Sequence, residues 1–576
     1  MCRPASLAEQ KQEQTAGLSV QWQDLTVGVG PKRVPVLRNL TGGASAGALT
    51  AVLGPSGSGK STLLGTVSAR FPSQLRILRG SVRYDGEAWD RSRHKRRVAF
   101  VEQEDALLKD LTVRQTLTFA AALRGEPDPA ARAAAMLHEL NLDKCADQAI
   151  GGANIRREIS GGQRRRVSIG HELLLDPDLV LLDEPTSGLD SFAASKIFQL
   201  LLEMTRKGRT VMTTLHQPTD AMFFGFDHLH LLLDGAAAYA GPASAAVDAL
   251  SAKRSKPLGM PCADFLLDVV CTGFEAPERK ALPAALPEKG EDDERRPVAT
   301  QQDDLVLPWT KQYEILLRRN WLAHRLDLVD PMFLFNICSI TLLCALLWHG
   351  RAGTRPRTES SVEDTGGLLF LQPVYWGFQL MIQALFAFPP SRLVLTKERA
   401  AGLYSVSAFF LARTTVDSLT AALISPLFSF VYYFSVGLRP AMLPKHCLVL
   451  FMNGLAAQSS GLAIGAWVPD LKRAATFETV FMLTTMMAGG FYVSNIPAWL
   501  EWIGMFSYTK YSYGALAKTE FRGTTYNDGG VRTSVGDHSS LDAIPLRSGI
   551  TGDLLALLAF TVLFRLLAFA GLKRNT

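Results

Sequence analysis

The sequence of 576 residues predicts an α/β domain followed by an all-α membrane domain. In the first half, an apolar run ends at Leu53, a glycine-rich stretch occupies residues 54–61, and a helix-compatible run follows. The composition then changes, because Asp, Glu, Lys and Arg are frequent before about residue 330 and apolar blocks dominate after it. The second half contains about six apolar segments, each near the roughly 20 residues that a bilayer requires.

Composition and charge narrow the function classes. The chain is 47% hydrophobic with a mean hydropathy of +0.10, which is high for a soluble protein. Its net charge of +6 is not arranged as a stripe of Lys and Arg between aromatic residues. We therefore expect membrane lipids, and no nucleic acid, among its partners. The seven cysteines show no C-x-x-C spacing, so neither a zinc site nor a disulfide framework is expected.

The glycine-rich stretch fits the pattern G-x-x-x-x-G-K-[ST], a phosphate-binding loop between a strand and a helix. Its glycines let backbone N–H groups surround a phosphate, and the helix N-terminus adds a partial positive charge. Lys60 supplies a full charge, and Ser61 is placed to bind Mg²⁺. The predicted nucleotide-binding residues are Gly54, Pro55, Ser56, Gly57, Ser58, Gly59, Lys60, Ser61 and Thr62.

The elements around this loop begin with strands. Residues 1–17 are polar and predict an N-terminal tail ahead of a first domain at 18–274. Residues 18–27 alternate like an edge strand, and residues 80–86 predict a short strand and turn. Residues 97–103 predict a strand that ends at Gln103. From 107 to about 158 the pattern becomes helical, which predicts a helical insert in the nucleotide core.

The rest of the first domain returns to strands that end on polar residues. Residues 160–163 open a helix that Asp176-Pro177 stops. Residues 179–182 predict a buried parallel strand whose carboxyl end presents Asp183 and Glu184, where α/β sheets place their chemistry. A further buried strand precedes His216. The first domain therefore predicts a nucleotide site at one edge of a parallel sheet.

These motifs, in this order and spacing, resemble the nucleotide-binding domain of an ATP-binding cassette transporter. With the cassette first and the membrane domain second, the chain resembles the G subfamily of half-transporters, which includes the white and breast-cancer-resistance types. Residues 159–170, 213–218 and 396–404 match that subfamily closely. The resemblance implies a RecA-like P-loop core with a helical subdomain, then a six-helix transmembrane domain. It also implies ATP and Mg²⁺ as cofactors and ATP hydrolysis as the reaction.

Roles for the site residues follow from the resemblance and from the needs of phosphoryl transfer. Asp183 should complete the metal shell begun by Ser61, and Glu184 should act as the general base. Gln103 can contact the metal or the attacking water, and His216 can hydrogen-bond the γ-phosphate. The expected metal ligands are thus Ser61, Gln103 and Asp183, and the expected catalytic residues are Glu184, His216 and Gln103.

A second motif implies a dimer. In the family, the signature sequence reaches across to the nucleotide of the partner, so Ser160, Gly161, Gly162 and Gln163 are expected to serve the partner's ATP. Asp190 occupies the position of the family's D-loop. One chain carries one cassette and one membrane domain, so a working pump requires a second copy or another half-transporter. The sequence leaves a homodimer and a heterodimer both open.

The second half predicts a membrane domain at 331–576, after a linker at 275–308 and an amphipathic connecting helix at 309–330. An even number of spans keeps the C-terminus in the cytosol with the cassette. The plasma membrane is the expected location, and residues 495–552 form the long external loop, for which the resemblance implies short re-entrant helices. The six spans centre on residues 332–348, 368–388, 409–436, 447–468, 476–493 and 554–572.

Coupling and substrate residues are expected in this membrane domain. Glu398 and Arg399, in a cytosolic loop between the second and third spans, are expected to contact the helical insert of the cassette. A contact between Arg413 and Glu478 is hypothesised to transmit cassette closure. A central, mostly apolar cavity between the second and fifth spans suits a lipophilic substrate. Its candidate residues are Phe378, Gln379, Ile382, Phe386, Met482, Thr485 and Met486.

The sequence leaves more than one function open. The first hypothesis is ATP-driven export of a lipophilic molecule, such as a sterol, lipid, wax precursor, terpenoid, hormone or xenobiotic. The second is a membrane-anchored regulatory ATPase that carries no solute of its own. Spans with internal prolines favour transport. A soluble cassette ATPase of translation or repair is disfavoured by the membrane segments.

Overall fold

The computed structural model describes residues 17–30, 33–68, 75–90, 94, 96–151, 158–251, 256–257, 259–273, 307–324, 331–349, 357–492, 497–528, 531–534 and 549–575. The chain divides into two compact units between Leu307 and Pro308. Most of the predicted tail, most of the linker and residues 325–330 of the predicted connecting helix lie outside the described residues.

The first unit is built on a six-stranded mixed sheet. Its strands are β3 (Leu49–Leu53), β6 (Val98–Val101), β7 (Leu179–Leu182), β8 (Thr210–Thr214), β9 (His228–Leu233) and β10 (Ala236–Pro242). The order is β10-β9-β3-β8-β7-β6, and only β10 pairs antiparallel. The carboxyl ends of β3, β6, β7 and β8 therefore meet at one edge, which confirms the predicted α/β class.

A second sheet is antiparallel, and its strands come from both sides of the phosphate loop in the sequence. It consists of β1 (Val20–Val29), β2 (Val34–Ala44), β4 (Leu75–Tyr84) and β5 (Glu87–Ala88), in the order β2-β1-β4-β5. The first strand was expected at an edge, but β1 is hydrogen-bonded on both sides, to β2 and β4. Its alternation reflects one face that packs on the core, which a central strand of an antiparallel sheet shares with an edge strand.

Helices cover the larger sheet and form the insert. In chain order they are α1 (Lys60–Val67), α2 (Val113–Leu123), α3 (Pro129–Glu139), α4 (Gly161–Leu173), α5 (Ser191–Arg206), α6 (Asp220–Phe223), α7 (Ala243–Ser251) and α8 (Cys262–Gly273). Helices α2 and α3 form the helical insert. Thr112 caps α2 with a reciprocal hydrogen-bond pair to Gln115. Leu117, Met136 and Val167 join α2, α3 and α4 in one core with the sheet.

The second unit, Pro308–Thr576, is helical and is called the membrane unit below. Its helices are α9 (Trp309–His324), α10 (Pro331–Leu347), α11 (Glu359–Leu385), α12 (Phe388–Ala400), α13 (Val406–Val436), α14 (Leu443–Trp467), α15 (Leu471–Met487), α16 (Glu501–Met505), α17 (Tyr508–Phe521) and α18 (Thr551–Asn575). Helix α14 is the centre, because it packs against α11, α13, α15, α17 and α18. The helical class predicted for this half is confirmed.

Three helices of the described chain are long and apolar enough to cross a membrane. They cover Ser360–Leu385, Pro440–Trp467 and Thr551–Asn575, and a shorter apolar helix covers Leu334–Leu347. The remaining predicted spans lie on α13 and α15. Only 28% of the apolar stretch of α18 is buried, so α18 lies at the outside of the unit.

The predicted external loop contains a buried helix, α17, and two short strands. Nearly all of α17 is buried, and Asn453 of α14 accepts a hydrogen bond from Ser512 of α17 (2.8 Å). Helix α17 is thus part of the core of this unit. Two short strands follow it, β12 (Thr525–Asp528) and β13 (Val531–Ser534), and β12 also pairs with β11 (Arg357–Thr358).

Candidate functional site

The phosphate loop connects β3 to α1 in a conformation that requires glycine. Gly54, Gly57 and Gly59 have φ of +154°, +82° and +97°. A Cβ atom on Gly54 would lie 2.4 Å from the carbonyl oxygen of Leu232 on β9. Gly59 directly precedes α1, so the first N–H groups of that helix open toward the loop. The backbone is therefore shaped to surround an anion.

Lys60 is held inside this loop. Its Nζ donates to the carbonyl oxygens of Gly54 (2.8 Å) and Pro55 (3.1 Å), and the residue is 5% exposed. Burial lowers the pKa of Lys60, while the carboxylates of Glu184 and Asp183 act in the opposite direction. Among the described residues, the ammonium group has only neutral oxygens as hydrogen-bond partners, so a phosphate oxygen would be a stronger partner.

Two further features of the loop fit a nucleotide with Mg²⁺. The hydroxyl of Ser58 is buried and, in the described chain, has no hydrogen-bond partner. Ser61, the second residue of α1, has an exposed side chain, so its oxygen is open to a metal ion. Mg²⁺ prefers one or two carboxylates together with oxygen ligands of the phosphates.

The two carboxylates after β7 have different surroundings. Asp183 is 5% exposed and accepts a hydrogen bond from the hydroxyl of Thr214 on β8 (2.7 Å). The same hydroxyl accepts from the backbone N–H of Glu184 (2.7 Å). Glu184 is only partly buried and has a φ of +42°, in the left-handed region that costs a non-glycine residue energy. Adjacent strands thus fix Asp183 and direct Glu184 out of the sheet.

Glu184 and Gln103 meet although 81 positions separate them. The Gln103 Nε2 donates to Glu184 Oε2 (2.8 Å), because β6 and β7 are parallel neighbours and both residues follow the strand ends. His216 follows β8 and is exposed, and it makes no hydrogen bond to the described residues. The fold therefore brings Gln103, Asp183, Glu184 and His216 to the same sheet edge as the phosphate loop.

Arg165 is a residue that the sequence reasoning did not single out. It is 4% exposed, and its Nη2 donates to the carbonyl oxygen of Asp183 (2.8 Å). Its Nη1 donates to the carbonyl oxygens of Glu102 (2.7 Å) and Gln103 (3.1 Å). The same nitrogen forms an ion pair with Asp105 (3.0 Å). Arg165 thereby ties α4 to both strand ends. Residues 164–166 are all arginines, so the sequence does not indicate which of them is buried.

The signature residues form the start of α4. Ser160 caps the helix by accepting from the Gln163 N–H (3.3 Å), and Gln163 Oε1 accepts from the Ser160 N–H (2.8 Å). Ser160 and Gly161 are exposed. A Cβ atom on Gly162 would lie 2.9 Å from Cβ of Ala193 on α5. Asp190 caps α5 by accepting from the Ala193 N–H (2.8 Å). The motif presents an open helix N-terminus.

The expected coupling segment is helical rather than a loop. Glu398 lies on α12, is 3% exposed, and forms an ion pair with Arg319 of α9 (2.7 Å). Tyr404 also donates a hydrogen bond to Glu398. The carboxylate is therefore enclosed within the membrane unit and is not presented as a surface contact. Arg399, its neighbour on the helix, is only partly buried.

The expected contact between Arg413 and Glu478 is not formed in the described chain. Arg413 instead pairs with Asp417, one turn along α13 (3.2 Å), and contacts His324 of α9. Glu478 of α15 is 2% exposed, and its Oε1 has no partner in the described residues. The i, i+4 spacing makes the local ion pair available without any tertiary contact, which is why it forms.

The candidate pocket residues lie on α11, directly after its end at Phe386, and on α15, and the two helices pack against each other. Six of them are not buried, with Phe386 44% exposed, and Thr485 is buried. Gln379 donates to the hydroxyl of Tyr375 (3.3 Å). Most of these side chains are therefore partly exposed. The candidate pocket residues are Phe378, Gln379, Ile382, Phe386, Met482, Thr485 and Met486.

Comparisons with known proteins agree with both units. The ABC transporter family model matches residues 37–187, and the ABC-2 type transporter model matches residues 311–521. ABC transporter G family member 22 of Arabidopsis thaliana is 34% identical over 98% of this chain and 80% of the relative. Member 25 of the same organism is 36% identical over 84% and 77%. Protein white of Drosophila melanogaster is 28% identical over 94% and 83%.

Proposed function

This chain belongs to the ABC transporter G family, and from that premise we propose that it exports a lipophilic small molecule as one half of a dimeric transporter. It is a membrane protein that binds and hydrolyses ATP to drive transport. The substrate class, the partner and the membrane belong to the proposal. The observation that carries it is the hydrogen bond from Gln103 to Glu184 beside the phosphate loop, in a chain with a helical membrane unit.

Hydrolysis would use the residues at the sheet edge. The loop amides and Lys60 would hold the phosphates, and Ser61, Asp183 and Gln103 would hold Mg²⁺, which neutralises charge on the phosphates. Glu184 has one carboxylate oxygen hydrogen-bonded to Gln103, which orients it to accept a proton from water. His216 is exposed near this edge and would contact the γ-phosphate.

A dimer would complete the site. The start of α4 offers exposed N–H groups at a helix N-terminus, the arrangement that binds anions. We assign Ser160, Gly161, Gly162 and Gln163 to the ATP of the partner, with Asp190 beside them. G-family half-transporters generally act as dimers, and either a second copy or another half-transporter would supply the missing half.

The membrane unit would carry the substrate. We place the cassette and the C-terminus in the cytosol and the chain in the plasma membrane, with six spans and α17 as a re-entrant helix. The partly open residues on α11 and α15 are mostly apolar with a single amide, Gln379, which suits a lipophilic molecule. Conformational coupling is assigned to Glu398 and Arg413 with their ion-pair partners, to Arg399 and to Glu478.

The test is ATP hydrolysis and export by the full chain purified alone into lipid vesicles, compared with Glu184→Gln. The expected result is Mg²⁺-dependent hydrolysis that the variant loses, and ATP-dependent accumulation of a lipophilic tracer. Particle mass measured in parallel should show two chains. Hydrolysis without accumulation of any lipophilic tracer would contradict export and favour a regulatory ATPase. A monomeric, inactive chain that gains activity with another half-transporter would assign a heterodimer.

A further inference from the structure

The last helix, α18, carries a charged side chain far from either of its ends. Arg565 lies eight residues before Lys573 on α18, which places it about 12 Å deeper along the helix axis. Half of a hydrocarbon core is about 15 Å thick, so this guanidinium lies near the bilayer centre if Lys573 marks the interface. Ionisable groups at that depth are costly and usually have a function.

The partners of Arg565 do not neutralise it. Its Nη2 donates to the hydroxyl of Ser418 on α13 (2.6 Å), and its Nε donates to the hydroxyl of Ser459 on α14 (3.3 Å). Nη1 makes no hydrogen bond to the described residues. Two neutral hydroxyl groups therefore hold the guanidinium in place and leave one of its nitrogens open.

Two arginines lie near a single carboxylate, and only one of them forms an ion pair with it. Asp417 lies next to Ser418 and is already paired with Arg413 (3.2 Å). In the described chain Arg413 and Arg565 have no other acidic partner, so the group retains one positive charge beyond what Asp417 balances. A net charge in hydrocarbon favours an anion as its ligand.

The surroundings define the rest of the ligand. Leu558, Val562 and Leu566 of α18 are 47%, 50% and 62% exposed, so apolar surface lies on both sides of Arg565 along the helix. A phospholipid head group would have to leave the interface to reach this depth. A single-chain amphiphile with one small anionic head can lie along the helix and bury that head.

We propose that Arg565, held in place by the hydroxyl groups of Ser418 and Ser459, binds the anionic head of an amphiphilic organic acid that enters from the membrane. This site is separate from the candidate pocket on α11 and α15. This inference rests on the proposed function, because it names amphiphilic organic acids as the class of substrate that the transporter would export. Binding itself can be measured without ATP.

The test uses radiolabelled myristate and myristyl alcohol at pH 8, with the full chain in phosphatidylcholine nanodiscs and no nucleotide. The native chain should bind the carboxylate at least about tenfold more tightly than the alcohol. Arg565→Gln should bring that ratio near one, and Arg565→Lys should keep most of it. Arg574→Gln removes a cation at the end of the same helix and should leave the ratio unchanged. An Arg565→Gln variant that keeps the native ratio would overturn the proposal.

A second measurement on the native chain guards against a variant that does not fold. A photoreactive diazirine myristate should label peptides of α18, α13 or α14, and the matching alcohol should not. Equal labelling by both probes, or labelling confined to other helices, would refute the site. Displacement of myristate by phosphatidylserine in the disc would also refute it, because the ligand would then be a phospholipid. If the carboxylate preference persists while Glu184-dependent export is missing, the site stands and the export proposal fails. If export occurs and the native chain shows no preference for the carboxylate over the alcohol, the export proposal stands and the Arg565 site fails.

Discussion

Arg319 and Glu398 form a bidentate ion pair that is almost fully enclosed by the membrane unit. Nη1 and Nη2 lie 2.7 Å and 3.0 Å from the two carboxylate oxygens, and both side chains are less than 5% exposed. Tyr404 donates to the same carboxylate, and its ring lies 5.7 Å from the Arg319 guanidinium. Burial and the Glu398 charge raise the pKa of Tyr404 well above its usual value, so it stays a hydroxyl donor.

Breaking this pair should destabilise the membrane unit. Glu398→Ala leaves the Arg319 charge buried without a counterion, which should cost about 3–5 kcal/mol. The double variant Arg319→Met with Glu398→Leu should recover most of that loss, because it removes both charges. Thermal unfolding of the purified full chain in detergent measures the effect. A single variant as stable as the native chain, or a double variant no more stable than the single one, would contradict this account.

Removing the carboxylate of Glu184 should stop hydrolysis while nucleotide binding continues. Glu184→Gln keeps the shape of the side chain, but an amide cannot accept the proton from water. Turnover should fall at least about a hundredfold. Steady-state phosphate release and binding of a fluorescent ATP analogue separate the two effects. The control is Glu203→Gln on α5, outside the sheet edge, which should hydrolyse at the native rate. Comparable turnover by Glu184→Gln would assign the base elsewhere.

Arg165 should matter far more than the arginine before it. Arg165→Met removes the hydrogen bonds to the backbone at both strand ends, so Gln103 and Asp183 should lose their fixed positions. We expect a fall of about tenfold or more in kcat, with a smaller change in the KM for ATP. Arg164→Met is the matched control, since Arg164 makes one long ion pair with Glu158 (3.4 Å) and is partly exposed. Equal kinetic effects of the two variants would be the contrary result.

The close approach of α14 to α11 should not tolerate a methyl group. A Cβ atom on Gly461 would lie 2.3 Å from the carbonyl oxygen of Met381, and one on Gly465 would lie 2.8 Å from that of Leu385. These two glycines are four residues apart, the spacing of close helix contacts in membranes. Gly461→Ala should therefore cost about 1–3 kcal/mol through forced displacement.

The control for Gly461 lies on the other helix. Gly366→Ala on α11 would bring its Cβ no closer than 3.6 Å to another atom, the hydroxyl oxygen of Tyr513. Its unfolding temperature should stay near that of the native chain. If the two variants unfold at the same temperature, the contact between α11 and α14 is less rigid than the backbone distances indicate.

His230 should make the stability of the cassette depend on pH. Burial lowers its pKa to about 4, its Nε2 contacts the Gly43 carbonyl oxygen (2.8 Å), and its ring lies 5.1 Å from Trp22. The unfolded chain takes up a proton near pH 6.5 and the folded chain does not, so folding stability is complete above that pH. It should fall by about 1.4 kcal/mol per pH unit between 6.5 and 4.

The pH effect of His230 can be isolated by substitution. His230→Gln should flatten the decline between pH 6.5 and 5, although it lowers stability at neutral pH. His138→Gln, which changes a mostly exposed ring, should leave the decline as in the native chain. Hydrogen exchange of peptides from β9 in the full chain reads the stability of this sheet. An unchanged slope in His230→Gln would mean that other groups set the pH dependence.

Much of the cassette could be predicted because its signals are local. The loop glycines directly follow the strand before Lys60, and the two carboxylates directly follow β7. Each motif can therefore be identified from the spacing of neighbouring residues. The parallel order of β6, β7 and β8 then follows from the rules of α/β sheets, and it brings Gln103 to Glu184. The edge position expected for β1 was wrong, because alternation reports which face is buried and does not report how many neighbours a strand has.

The membrane unit was less predictable in its contacts than in its class. Apolar length predicts where helices run, since each span must satisfy its own backbone in hydrocarbon. The same length says nothing about which side chains meet. The expected contact from Arg413 to Glu478 was replaced by a pair with Asp417, four residues away. The burial of α17 and the place of Arg565 likewise depend on how the helices pack.

The sequence by itself determined the α/β class of the first unit, the helical class of the second, and the ATP-binding family. These depend on short motifs and on composition, which are properties of neighbouring residues. Only the tertiary structure decided that Arg319 meets Glu398 across 79 positions, that Arg165 is the buried arginine of its run, and that Arg565 pairs with no carboxylate in the part of the chain that the structure describes. The physical reason is that burial and pairing are set by the packing of distant elements, for which a single chain of residue types carries no local signal.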